Sequence, residues 1–581
     1  MHTGLRTIFL SGAAILALSS AAIAAPKDDT NARIEALQQS VANLNAQLLQ
    51  LKADQAQATA DNDSSAALTD LKRSTSDQYV DLSNQITAVT TGQNKATVDN
   101  GRLQIASADG RFTAAVRGLL QFDTAYYSQS LAANALPASY APQLGSGSNF
   151  RRVYLGLSGK VFSDWTYNLN FDFGGSGGTE TPGHIQSVYI EYDGLAPWAF
   201  RVGAFPPPAN IEDGTAAGDT IFLERNSPSD LQRNIAGGDG RDAFTILYAA
   251  PTVYGALSYT GNKIGDGAKA LAAAGATAAP NYGEQQALVG RLSWLPVSTA
   301  DTHWLIGVNG TYVIRPPNLT INGVANLATT PGGTARNTIT LSDPPELTID
   351  SNGYTLTNTA ALAAGHLTQW GVESALQWDS LYGQAGYYGF NVTRTPVAFT
   401  QFTAPGVSNT AIVQPTNDNF SAWYVEGTWL LTGESRGYNV ATGAFTPPLV
   451  AHPFGFGQNG GTGAWELALR YSDTNLNDHI TDPTSIVTAA SGTARTYDFY
   501  NTVRGGDQRI FTAGVNWYPN NVIRFALNYE LIQSSKLQSG SSQNALTGIT
   551  AAGTATTAPA IPTTNAGQNI SAVALRAQLY L

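Results

Sequence analysis

The sequence predicts an all-β fold: a 16-stranded antiparallel transmembrane β-barrel preceded by an N-terminal α-helical coiled-coil segment. Three observations carry this. From Phe112 apolar and polar side chains alternate, and such segments, about sixteen in all, recur to the last residue. Their connections alternate between tight turns and long polar loops, as at the two ends of a barrel. The chain is 10% aromatic, 13% charged and free of cysteine, so closure rests on strand pairing rather than on disulfides.

Residues 1–24 read as a secretory signal. His2 and Arg6 form a short basic region, residues 8–18 are apolar, and Ala22-Ile23-Ala24 offers a small-residue cleavage site. No later stretch supplies the roughly twenty consecutive apolar residues of a membrane-spanning helix. Residues 30–89 read as a coiled-coil segment. Ile34, Leu37, Val41, Leu44, Leu48 and Leu51 alternate spacings of three and four, the seam of a self-associating helix. Residues 90–100 are polar and read as a linker; the barrel domain spans 101–581.

In the barrel, Phe112, Val116, Leu120, Phe122 and Tyr126 share one parity, and Arg117, Gln121 and Asp123 take the other. Successive strand side chains point to opposite faces, so one side meets lipid and the other water. The same parity directs Asp172, Glu191, Arg201, Glu373, Glu426, Arg470, Arg524 and Arg576 into the lumen. Tight connections are expected at 160–164, 194–197, 250–252, 378–381 and 518–521, and long ones at 128–149, 315–365 and 533–569. The connection 432–463 is long where a tight turn belongs.

A net charge of −11 argues against nucleic-acid binding. The six histidines are scattered, with no pair at metal-ligand spacing, and neither a nucleophile elbow nor a phosphate-cradling loop occurs. No catalytic residue, metal or cofactor is expected.

The segment Phe150-Arg151-Arg152-Val153-Tyr154-Leu155, followed by Asp164-Trp165-Thr166-Tyr167, resembles the phosphate-selective porin O/P family. So do Leu223-Glu224-Arg225-Asn226, Leu431-Thr432-Gly433-Glu434, Gly463-Ala464-Trp465-Glu466-Leu467 and Gly514-Val515-Asn516-Trp517-Tyr518. The resemblance implies a homotrimeric outer-membrane channel in contact with lipid, whose arginines line the path and whose lysines bind phosphate. It places Arg151, Arg152 and Arg225 at the constriction, with Glu224 beside them and residues 206–240 folded into the lumen.

Asp213 stands where the family carries its inner-loop lysine, and residues 391–401 hold Arg394 but no lysine. From residue 101 the only lysines are Lys160, Lys263, Lys269 and Lys536, all in expected turns or loops. A carboxylate is acceptor-only and repels phosphate. The expectation is therefore an outer-membrane porin passing small anions by diffusion, without phosphate specificity. Alternatives are a general or neutral-solute porin, for example for sugars, and an envelope protein tethered to the cell wall by its coiled coil. The N-terminal segment is expected in the periplasm of a Gram-negative cell.

Overall fold

The computed structural model describes residues 101–131, 143–175, 183–264, 285–317, 337–350, 353–404, 407–457, 460–480, 486–490, 493–497, 502–536 and 567–581, residues 94–99, and isolated positions between 39 and 83. The chain divides into two units, one of Met1–Ala96 with Ile105–Phe112, the other of Thr97–Gln104 with Thr113–Leu581. In the first, described positions such as Gln39, Ala42, Leu49 and those at 76–81 are helical. The six seam residues and the signal lie outside the described residues. Within the stretch read as a linker, Lys95–Asp99 forms a strand.

The second unit is the barrel. Its first four wall strands are β1 (Thr113–Leu131), β2 (Gly147–Val161), β3 (Trp165–Asp172) and β4 (His184–Leu195). Next come β5 (Trp198–Ala204), β6 (Arg241–Ala250), β7 (Val253–Lys263) and β8 (Gln286–Ser298). Then follow β9 (Thr302–Arg315), β10 (Leu362–Trp378), β11 (Leu381–Arg394) and β12 (Asp418–Leu430). The wall ends with β13 (Ala464–Asp478), β14 (Val503–Tyr518), β15 (Ile523–Ser535) and β16 (Gln568–Tyr580). Each pairs antiparallel with the next, and β16 pairs back onto β1 from Gln568↔Leu131 to Tyr580↔Leu119. Closure leaves no strand edge unpaired in a medium that cannot hydrogen-bond it.

The alternation is inverted relative to a soluble protein. Leu120 and Phe122 are each 39% exposed, whereas Gln121 and Asp123 between them are 0% and 2% exposed. Aromatic pairs gather toward both ends of the wall. Trp165–Tyr192, Trp198–Tyr248 and Trp465–Trp517 lie near the short turns, and Trp370–Tyr387 and Trp423–Tyr471 nearer the loops. These positions fit the girdles that amphipathic rings form at a membrane interface. The turns are tight for local reasons; Asp379, at φ 52°, gives the two-residue hairpin between β10 and β11 its left-handed step.

Of the irregularities in the wall's register, two β-bulges bear on the lumen near the inner loop. In the β1–β2 register Gln121 faces Arg152 while Phe122 faces Phe150, so Arg151 is the extra residue. In β3–β4, Asn170 faces Ser187 and Phe171 faces Ile185, leaving Gln186 extra. A bulge lets two consecutive side chains reach the same face. Arg151 and Arg152 are accordingly both buried inside.

Among the described residues, three connections fold into the lumen. Residues 205–240 carry two helices, α1 (Ile211–Gly214) and α2 (Ser227–Ala236). Asn210 caps α1 by accepting from the Asp213 N–H, and Asn226 caps α2 by accepting from the Ser229 N–H at 2.9 Å. Residues 337–361 enter from the same end, burying Leu341, Leu347 and Leu356. The connection 432–463 enters from the turn end, which accounts for its length. Its hairpin of Arg436–Asn439 and Ala444–Pro448 buries Ala444 and Phe445 against Ile211, Phe222, Leu305 and Tyr382. Arg436 clamps Glu466 on β13 at 2.7 Å, and the Arg291 guanidinium donates to the carbonyls of Thr442 and Gly443.

Candidate channel constriction

The bulge on β2 sends Arg151 and Arg152 toward one carboxylate. Arg151 Nε lies 2.8 Å from Glu224 Oε1, Arg152 Nη2 lies 2.9 Å from Oε2, and Arg576 Nη2 from β16 lies 3.0 Å from Oε1. Arg576 is also forked onto Asp123 at 2.7 and 2.6 Å. Burial alone would raise the Glu224 carboxyl, but the guanidinia of Arg151, Arg152 and Arg576 outweigh it and hold it well below the usual carboxylate range. Three cations against two carboxylates leave this cluster one positive charge in excess.

Glu224 is thus the anchor of the inner loop, and its neighbours finish the fastening. Arg524 donates to the carbonyls of Thr220 and Ile221, Arg576 to that of Leu223, and Arg470 to that of Glu224. Glu373 accepts from the Ile211 N–H at 3.0 Å while bound by Arg291 at 2.6 Å. On the other inward loop, Glu346 accepts from the Ser227 N–H and Ser472 Oγ and pairs with Arg470.

Arg225 points the other way. Its guanidinium donates to the carbonyls of Glu212 and Thr215, closing the end of α1. Asp213 is bound by Arg233 at 2.5 Å, and Arg233 also pairs with Asp239. Burial works against the Arg233 charge, yet Asp239, Asp213 and Asp230 hold its guanidinium well above its ordinary range. Asp213 is therefore half of an internal pair rather than a bare carboxylate.

These residues stand between two cavities. The one toward the loop end, about 450 Å³, is lined by Arg151, Arg152, Arg225, Arg233 and Lys263 against Glu224, Asp230, Asp239, Asp343 and Glu346. Burial, and then Asp230, push the Asp343 carboxyl well above its normal range. Five cations there face five carboxyl groups, of which Asp343 is the one its surroundings disfavour as an anion. The cavity toward the turn end, about 170 Å³, is lined by Arg117, Arg225 and Arg233 against Asp213 and Asp239. Arg225, Arg233 and Asp239 line both cavities and so stand where the two adjoin.

The wall charges read from parity do face inward, but most are engaged. Asp123 serves Arg576, Glu191 binds Arg201 at 2.7 Å, and Glu426 accepts from Gln384 at 2.7 Å. Asp172 accepts from the backbone N–H groups of Val153 and Gly174. Arg117 remains on the lining of the turn-end cavity. Arg394 pairs with Asp418 at 2.8 Å, away from any lumen lysine. Lys263, expected in a loop, ends β7 and lines the larger cavity.

Sequence reasoning missed Arg233, Asp239, Arg291, Glu346 and Arg436, whose partners lie on other elements. It also missed that Asp418, Asp478 and His479 come together, with ligand atoms within 4.8 Å, because β12 and β13 end side by side.

A closed 16-stranded barrel, apolar outside and with an arginine-lined passage inside, is the architecture of an outer-membrane porin. The chain belongs to the family described as phosphate-selective porin O and P, which matches residues 138–551. It is 23% identical over 466 residues to "Porin O" of Pseudomonas aeruginosa, covering 78% of this chain and 90% of that one. It is also 23% identical over 443 residues to an uncharacterized protein of Caulobacter vibrioides, covering 74% of this chain and 70% of the other. Among solved structures it is similar to the outer membrane channel DcaP of Acinetobacter baumannii, with 13% identity, a TM-score of 0.39 and coverage of 81% and 97%.

Proposed function

We propose that this outer-membrane porin passes small anions by diffusion through the slot between the inner loop 205–240 and strands β2–β5. The observation that carries this is the sharing of Arg225, Arg233 and Asp239 by two cavities, the turn-end one lined by three cations against two carboxylates and the loop-end one by five cations. Arginine suits the role because it stays charged and offers a fixed fork of donors to an oxyanion. Membership in a family described as phosphate-selective supports the anionic preference. Phosphate specificity is not proposed, since position 213 carries no lysine and Arg394 is held in an ion pair with Asp418.

The short turns belong on the periplasmic side by the rule for such barrels. The N-terminal helical segment then lies in the periplasm, as a coiled coil beneath a homotrimer. Arg225→Gln tests the assignment, because it removes one cation from the lining of both cavities. One charge about 4 Å from the ion path is worth about 1 kcal/mol in watery surroundings, about fivefold in permeability. The chloride-to-potassium permeability ratio should fall by up to that factor; an unchanged ratio would remove Arg225 from the path.

A further inference from the structure

The two sides of the passage differ in chemistry. The inner-loop side carries Arg225, which donates to two loop carbonyls, and Arg233, which pairs with Asp213 and Asp239. Opposite, Tyr154, Asn168, Asn170, Gln186, Ser187 and Tyr189 from β2, β3 and β4 line the turn-end cavity with amides, a hydroxyl and phenols. The bulge after Asn170 is what brings Gln186 to the same lining as Ser187. These groups are held in a network: Asn168 Nδ2 donates to Ser187 Oγ at 2.7 Å, and Asn170 Nδ2 to Gln186 Oε1 at 2.9 Å. Tyr189 is fixed by the Arg201 guanidinium 4.3 Å over its ring and by Phe205 at 5.6 Å.

Chloride makes little use of such a wall, because it only accepts hydrogen bonds. An alkyl carboxylate does worse, since its chain would strip water from the amides without replacing the bonds. A hydroxylated chain both donates and accepts, and so matches amide groups that do the same. We propose that the passage favours hydroxylated organic anions, sugar acids and related polyol carboxylates, with the carboxylate on Arg225 and Arg233 and the hydroxyls along the amide wall. This rests on the anion-channel reading above and names the class of solute within it.

The experiment compares gluconate with hexanoate, two six-carbon monocarboxylates that differ in hydroxylation, in a planar bilayer holding the full-length porin. Permeability ratios against potassium come from reversal potentials, each corrected for free diffusion. Gluconate should exceed hexanoate severalfold, and Gln186→Ala together with Tyr154→Phe should narrow the gap while chloride selectivity persists. Equal or inverted ratios in a channel that still prefers chloride to potassium would overturn the proposal and leave the anion reading intact. Loss of preference for every anion would overturn the reading on which it rests. The wild-type comparison stands alone if the double variant does not assemble.

Discussion

At the scale of the residue, Glu224 is the most consequential side chain of the lumen. It pairs with Arg151, Arg152 and Arg576 at once and so holds the inner loop against the wall. Removing one partner of a buried ion pair costs about 3–5 kcal/mol, because the remaining charges stay buried. Glu224→Gln should therefore lower thermal stability in detergent and move the zero-current potential toward chloride. Its depressed carboxyl contributes stability above the unfolded value, near 4.3, that is lost as pH falls toward the folded one. Asp219, in the inner loop and within the field of Arg436, Arg524 and the cavity-lining Arg117, behaves oppositely: burial raises its carboxyl to about 6, so it is charged only above that pH. Chloride selectivity should rise as pH drops from 7.5 to 5, with a midpoint near the Asp219 value of about 6. Asp219→Asn should flatten that profile.

At the scale of the element, the wall was legible and the inward segments were not. Alternation is imposed locally by two solvents, so Leu120, Gln121, Phe122 and Asp123 announce their faces from sequence alone. The bulge at Arg151 is not announced, since neighbouring residues ordinarily diverge; family resemblance, not periodicity, flagged both arginines. The hairpin 436–448 has no period to detect. What holds it is the pairing of Arg436 with Glu466 and of Arg291 with two distant carbonyls, together with Phe445 packed on Tyr382 at 4.9 Å. Replacing 436–448 by a short turn should raise single-channel conductance severalfold, because the hairpin occupies the lumen beneath α1. An unchanged conductance would mean that the inner loop alone blocks that half of the barrel.

At the scale of the whole molecule, many lumen charges are engaged in internal pairs, and the proposed leaning toward anions rests on the few cations left on the cavity linings. The net charge of −11 does not set this balance, which depends on side chains near the narrowest point. Lys263 shows the limit of reading sites from sequence: its type was visible, its place at the end of β7 beside the cavity was not. The N-terminal segment is proposed to lie outside the conduction path. Deleting residues 30–89 should therefore leave ion selectivity unchanged, and any loss of trimers on an unheated gel would assign that segment to assembly.

The measurement that bears most directly on the central claim is the zero-current potential of the purified wild-type protein in a planar bilayer under a potassium chloride gradient. An excess cation on the lining of the turn-end cavity predicts a potential of the sign set by chloride, moderate in size and growing on acidification through pH 6. A potential near zero, or of the sign set by potassium, would mean that the lumen carboxylates prevail and would contradict the assignment of an anion channel.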